Sequence, residues 1–167
     1  ACALLVGDAH ASARAPGGPL PHVLGSRSRV FPGTRDALGW QVGEGGFRIV
    51  LAAGLPEVIA EHLADEVARL LETHGLDVVD IGSWVVHAGG PKVLDAVERA
   101  LDLPADALWA SRDSLAEVGN LSSASVLHVL HTTAARRPPA PGTLGVLLAF
   151  GPGVSCDLVL LRWPAEG

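Results

Sequence analysis

The sequence predicts an α/β layered fold in which helices pack on a mixed central sheet. Short apolar runs bounded by glycine and proline alternate with longer segments whose apolar residues recur at helical spacing. The chain also closes on two strand-like runs, LGVLLAF and VSCDLVLLRW, separated only by a Gly-Pro-Gly turn. Its 167 residues, 49% hydrophobic and 18% charged, fit one domain able to bury a sizeable core.

The elements follow in order. ACALLVG at the start reads as a buried strand, and Ala15 to Pro21 as loop. Ser28 to Phe31 and Phe47 to Leu51 are short strand candidates beside the turn residues Pro32-Gly33 and Gly43 to Gly46. From Pro56 to His74 the pattern is helical: Pro56 suits a first helical position, Glu57 and Glu61 suit the positive helix start, and Gly75 supplies the stop.

After Asp80, IGSWVVH is a buried strand ending at His87 and the turn Ala88-Gly89-Gly90. Pro91 opens a second helix to Leu101, Asp106 to Val118 makes a third, and Ser122 to Ala135 a fourth. The fourth is nearly uncharged, so it is expected to be buried on most sides. No repeat and no linker divides residues 1–167, which read as one domain.

Composition excludes several classes. Mean hydropathy is +0.35, yet no apolar run reaches the roughly 18 residues of a membrane span. The net charge of −6 is uneven: +2 over residues 1–56, −9 over 57–117 and +1 over 118–167. The central acids are expected on the solvated faces of helices. No basic stripe exists, which argues against nucleic acid as a partner. Eleven Arg against the single Lys92 reflect coding bias, and a chain that begins ACALLVGDA without any Met reads as a piece of a longer or processed protein. Cys2 and Cys156 sit in apolar runs and read as small buried thiols, not as a disulfide or metal site, in keeping with a cytoplasmic protein.

Three turns set polar or glycine-rich elements beside apolar ones: WVVH-AGGP, EVGN-LSSAS and AFGPGVS. His87 ends an apolar strand, where a hydrogen-bonded structural histidine is the plain reading. The two glycines after it also let a ligand approach the backbone near a helix start. Asn120 precedes a helix and fits an N-cap; if Ser122 or Ser123 caps instead, its amide is left to donate outward. Phe150-Gly151-Pro152-Gly153 alone is an ordinary hairpin turn.

Together, WVVHAGGPKVLDAVERALDL, ASRDSLAEVGNLSSASVLHVL and GVLLAFGPGVSCDLVLL resemble the C-terminal half of the type III polyketide synthases, the chalcone and stilbene synthase family of the thiolase fold. The likeness runs over essentially the whole chain. Ketoacyl synthases that start fatty acid chains share a Gly-Asn-x-Ser element but usually carry His-Gln-Ala-Asn where this chain has His-Ala-Gly-Gly.

The resemblance implies an acyltransferase that extends a CoA-linked starter with malonyl-CoA by decarboxylative Claisen condensation. His87 and Asn120 match the family's catalytic His and Asn, two donors for the enolate oxygen, each worth about 3–4 kcal/mol. Ser122 and Phe150 to Gly153 match cavity walls. Gly89, Gly90, Pro91 and Lys92 match the rim passed by the CoA arm, and Lys92 stands where a small residue is frequent. The family's aromatic gatekeeper is matched by Phe47 or replaced by Ile49, and Ala88 replaces a common Pro.

The resemblance further implies no cofactor beyond CoA thioester substrates, no metal, homodimerisation, and dependence on an N-terminal half that carries the Cys nucleophile. Two other readings are a stand-alone, non-catalytic thiolase-fold remnant acting as a binding module, and half of a β-ketoacyl synthase. An open reading frame continuing upstream of Ala1 separates the first from the enzyme; use of acyl carrier protein in place of CoA thioesters separates the second.

Overall fold

A computed structural model describes Cys2, Leu4, Val6, Gly7 and residues 21–164. Four strands form a mixed sheet in the order β1 (His22–Val30), β6 (Ser155–Arg162), β5 (Leu144–Gly151) and β4 (Ile81–Val86). Strands β4 and β5 run parallel; the β5–β6 and β6–β1 pairs are antiparallel. A separate hairpin joins β2 (Leu38–Gly43) to β3 (Gly46–Leu51). The helices are α1 (Leu55–Glu72), α2 (Pro91–Ala100), α3 (Trp109–Val118) and α4 (Ala124–Arg136), with a 3₁₀ turn at Val78–Asp80.

The layers follow from strand alternation. Trp84, Val86, Val146, Leu148, Leu158 and Leu160 share one core with Ile59, Leu63 and Val67 of α1 and Leu94 and Val97 of α2. The residues between them in sequence, such as Val85 and Leu147, face the other way and pack with Val129 and Leu130 of α4. The expected mixed sheet between helices is therefore present. Of the 13 residues of α4, only His131, Ala135 and Arg136 are exposed, in line with a helix buried on most sides. Gly75, with φ of 66°, follows α1 as anticipated.

Several expectations need correction. The N-terminal run gives no strand at its described residues: Cys2, Leu4, Val6 and Gly7 are exposed, and none pairs with the open edges at β1 and β4. An apolar run becomes a strand only where a neighbour takes up its backbone groups. Cys2 is accordingly not a buried thiol, whereas Cys156 is. The rest of that strand reading, and most of the loop from Ala15 to Pro21, lie outside the described residues.

The first described strand is longer than Ser28 to Phe31, since β1 pairs with β6 from His22 onward. The hairpin partner β2 was not expected. The third helix starts at Trp109, because Asp106 to Leu108 form a turn closed by Trp109 N–H to the Asp106 carbonyl. One central acid leaves the solvated face: Glu66 is buried on α1 and pairs with Arg27 Nε of β1 at 2.5 Å. The half-buried Arg27 carries its charge across the sheet edge onto α1, and the acid meets it there.

The core makes a direct prediction for the full-length protein. Leu63→Ala, at a site with no exposure, should cost about 2–5 kcal/mol in denaturant unfolding. Val79→Ala, at a residue 91% exposed, should stay within about 0.5 kcal/mol.

Candidate active site

A cavity of about 340 Å³ opens where β4 and β5 end, between the β2–β3 hairpin and the start of α4. Its lining includes His87, Gly89, Asn120, Ser122, Phe150, Gly151, Pro152 and Ile49. All three turns singled out in the sequence thus reach one space. Parallel strands bring this about, because β4 and β5 deliver their C-terminal turns to the same end of the sheet.

His87 follows β4, and its backbone N–H still donates to the Leu148 carbonyl of β5 at 2.8 Å. The ring lies against Gly89: a Cβ there would sit 3.2 Å from His87 Cδ2. The next backbone bond runs from Gly89 N–H to the His87 carbonyl at 2.8 Å, curling the chain back under the ring. Burial lowers the His87 pKa below its ordinary value, which favours the neutral imidazole. A neutral ring offers one N–H donor and one acceptor.

Asn120 is fixed on both sides. Its Nδ2 donates to the Gly89 carbonyl at 3.1 Å, and its Oδ1 accepts the Ser122 N–H at 2.8 Å. The two capping alternatives resolve differently from either expectation. Ser123 occupies the cap position of α4 without a side-chain bond, Ser122 turns with φ of 57°, and Asn120 closes the turn ahead of the helix. The Asn120 amide still has one hydrogen beyond the Gly89 bond, since Nδ2 carries two.

The Phe150 to Gly153 turn anchors the hairpin that roofs the cavity. Gly153 N–H donates to the Leu38 carbonyl at 2.7 Å, and the buried Thr34 hydroxyl shares its proton between the Phe31 carbonyl at 2.7 Å and the Gly153 carbonyl at 2.9 Å. Gly153 itself does not line the cavity; nor do Gly90, Pro91 and Lys92, the last two of which are exposed. Of the two gatekeeper alternatives, Ile49 lines the space. Phe47 is 76% exposed and meets Trp40 edge to face at 6.4 Å.

Sequence reasoning missed Leu38, Trp40 and Leu51 on the hairpin, Val93 and Val126 on the helices, and Asp157 on β6. The hairpin trio had a signal: Leu38, Trp40, Val42, Phe47, Ile49 and Leu51 alternate around Gly43 to Gly46. Asp157 had none, as its place depends on which strand lies beside β5. There it accepts from the hydroxyls of Ser28 and Ser155.

Neither cysteine completes this site. Cys156 is buried, and burial, then the charges of Asp157 and Glu66, push its thiol up to about 12. Among the described residues, no group of three or more His, Cys, Asp or Glu could hold a metal ion. No described helix is long and apolar enough to cross a membrane.

A sandwich of helices about a mixed sheet, with a His turn and an Asn turn meeting at the strand ends, is an arrangement of the thiolase fold. The chain belongs to the chalcone and stilbene synthase family: "Chalcone and stilbene synthases, C-terminal domain" matches residues 23–164. It is 51% identical over 166 residues to 1,3,6,8-tetrahydroxynaphthalene synthase of Streptomyces peucetius subsp. caesius, covering 95% of this chain and 44% of that protein. It is 36% identical to 3,5-dihydroxyphenylacetyl-CoA synthase of Streptomyces toyocaensis, with 98% and 42% covered.

Among solved structures, the 1,3,6,8-tetrahydroxynaphthalene synthase of Streptomyces coelicolor A3(2), a bacterial type III polyketide synthase, superposes with a TM-score of 0.82. The identity is 31%, over 92% of this chain and 43% of that one. The chain spans less than half the length of the curated relatives it matches.

The lowered His87 pKa has a consequence for stability. An unfolded His takes up its proton near pH 6.5, and folded His87 does so only at lower pH. Its contribution is therefore complete above the ordinary value, is lost as pH falls below it, and stops changing below the folded value. Subtracting the thermal-midpoint profile of His87→Gln from that of the unmodified protein should leave this acid-side loss.

Proposed function

We propose that this chain is the His- and Asn-bearing part of a type III polyketide synthase, which extends a CoA-linked starter with malonyl-CoA by decarboxylative condensation. The observation that carries the reading is the meeting of His87 and Asn120 on one apolar cavity within a chain of this family. Loss of carbon dioxide from a malonyl thioester leaves an electron pair that delocalises onto the thioester oxygen. In this reading the imidazole N–H of His87 and the remaining Nδ2 hydrogen of Asn120 donate to that oxygen, and both groups are neutral. Donors set in place before the charge appears stabilise the transition state more than the substrate.

The remaining parts of the reading concern the whole protein. The acyl-accepting thiolate belongs to the part of the polypeptide outside this chain: the Cys156 thiol is held protonated in the core, and neither it nor the exposed Cys2 is among the residues lining the cavity. That same part covers the exposed apolar face of the hairpin, where Val42 and Phe47 are about three-quarters exposed. Gly89 to Lys92 form the rim toward the CoA arm, the exposed Lys92 facing a phosphate, and the working enzyme is a homodimer without a cofactor. Given the identity to a tetrahydroxynaphthalene synthase, a polyhydroxylated naphthalene is the product to look for first.

The test is release of labelled carbon dioxide from malonyl-CoA by the full-length protein. His87→Ala and Asn120→Ala should each reduce it about 100-fold or more. Rates near those of the unmodified protein would remove both residues from the site. The 167-residue chain alone should form no polyketide, and product from it would place the nucleophile within these residues.

A further inference from the structure

We infer that Ser125 is a positioning residue that sets the orientation of the Asn120 amide, an inference that rests on the function proposed above. Ser125 is the second residue of α4, has no exposure, and is not among the residues lining the cavity. Any effect on chemistry must therefore pass through a neighbour. Its Oγ accepts the backbone N–H of Leu121 at 2.7 Å and faces Asn120 Oδ1 at 3.4 Å, to which it donates.

A buried hydroxyl has one proton to place, and the amide oxygen is the acceptor in front of it. Asn120 Oδ1 thus meets two donors, the Ser122 N–H and the Ser125 hydroxyl, while Nδ2 meets the Gly89 carbonyl. Rotating the amide by half a turn would set its NH₂ against two donors and its oxygen against a carbonyl. The network therefore admits one orientation, in which the donor end of Asn120 lies toward the His87 turn.

Ser125 also holds the loop that carries Asn120. With Leu121 N–H bonded to Oγ and the Ser125 N–H bonded to the Ser122 carbonyl at 2.9 Å, residues 120–125 close on themselves. This offsets the left-handed backbone at Ser122, which is uncommon for a residue with a Cβ. Alanine at 125 strands the Leu121 N–H and removes one of the two donors on Oδ1. Threonine keeps the hydroxyl. Cysteine keeps the size but is a weak donor and acceptor.

The experiment is steady-state malonyl-CoA decarboxylation by the full-length protein, with Ser125→Ala, Ser125→Cys, Ser125→Thr, Asn120→Ala and the Asn120→Ala/Ser125→Ala pair. Ser125→Ala should lower kcat about 5- to 10-fold, the worth of a hydrogen bond. KM should stay within about twofold, because the interaction acts in the transition state. Ser125→Cys should match the alanine variant, and Ser125→Thr should recover most of the rate. In the Asn120→Ala background, loss of Ser125 should add nothing, since its effect runs through the missing amide.

An unchanged kcat in Ser125→Cys, or an equal further loss in the Asn120→Ala background, overturns the inference; the latter marks a purely structural serine. If Ser125→Ala does not fold, the cysteine and threonine variants decide alone. No carbon dioxide release by the unmodified protein overturns the functional reading and this inference with it. An active enzyme that needs Asn120 and ignores Ser125 overturns this inference only.

Discussion

The hydrogen bond from the Asn120 side chain to the Gly89 carbonyl joins two turns that sequence keeps 31 residues apart. The His87 and Asn120 side of the site hangs from it. Gly89 is tied to His87 through its own N–H, and His87 to β5 through the Leu148 carbonyl, so a continuous line of bonds runs from the sheet to the start of α4. A parallel line runs from Thr34 through Gly153 to Leu38 and holds the hairpin over the same space. The cavity is thus walled by elements joined through hydrogen bonds that each include at least one backbone group. Such preorganisation is what dipolar stabilisation of a developing charge requires.

The sheet explains why these lines meet. With β4 and β5 parallel, the His turn and the Phe-Gly-Pro-Gly turn leave at one end, and β6 returns antiparallel to put Asp157 beside Ala149. The face of the sheet that carries α4 is only partly clothed. Val85 and Leu147 lie under that helix, while Ser26, Ser28 and Asp157 on the same face of β1 and β6 are exposed. Exposed Ser26, Ser28 and Asp157 on that face, next to the exposed Val42 and Phe47 of the hairpin, fit a chain spanning under half the length of its relatives.

The sequence made the long helices and the strands β4, β5 and β6 legible, because each carries its own periodicity and its own stop: Pro56 and Gly75, Pro91, Gly119, Gly153. The turns at His87, Asn120 and Gly151 were legible for the same reason, since glycine and proline punctuate at fixed places. Less visible was anything decided by a partner. Strand β2 needs β3 to hold it, and Cys2 could be read as buried only by assuming a neighbouring strand. Glu66 looked like one more surface acid because Arg27 is 39 residues away and reaches it only across β1. The Asn120 network was half legible: the motif offered three hydroxyls and one amide in six residues, but which group caps which depends on the left-handed turn at Ser122.

One physical cause divides the titratable groups of the interior. Burial moves His87 down and Cys156 up, toward the neutral form in each case. Among the described residues, the cavity lining includes no Arg or Lys, and its one acid is Asp157 on the sheet floor. For the proposed decarboxylation this matters, because the malonyl carboxylate is negative before the reaction and the enolate oxygen is negative only as it proceeds. A cationic clamp in the cavity would hold the carboxylate of the ground state as firmly as the enolate, and binding both alike gives no acceleration of the chemical step. Neutral N–H donors fixed at the thioester oxygen respond mainly to the charge that arrives there. A neutral His87 beside an Asn120 whose amide is locked in one orientation is therefore the form of donor pair that separates the two states.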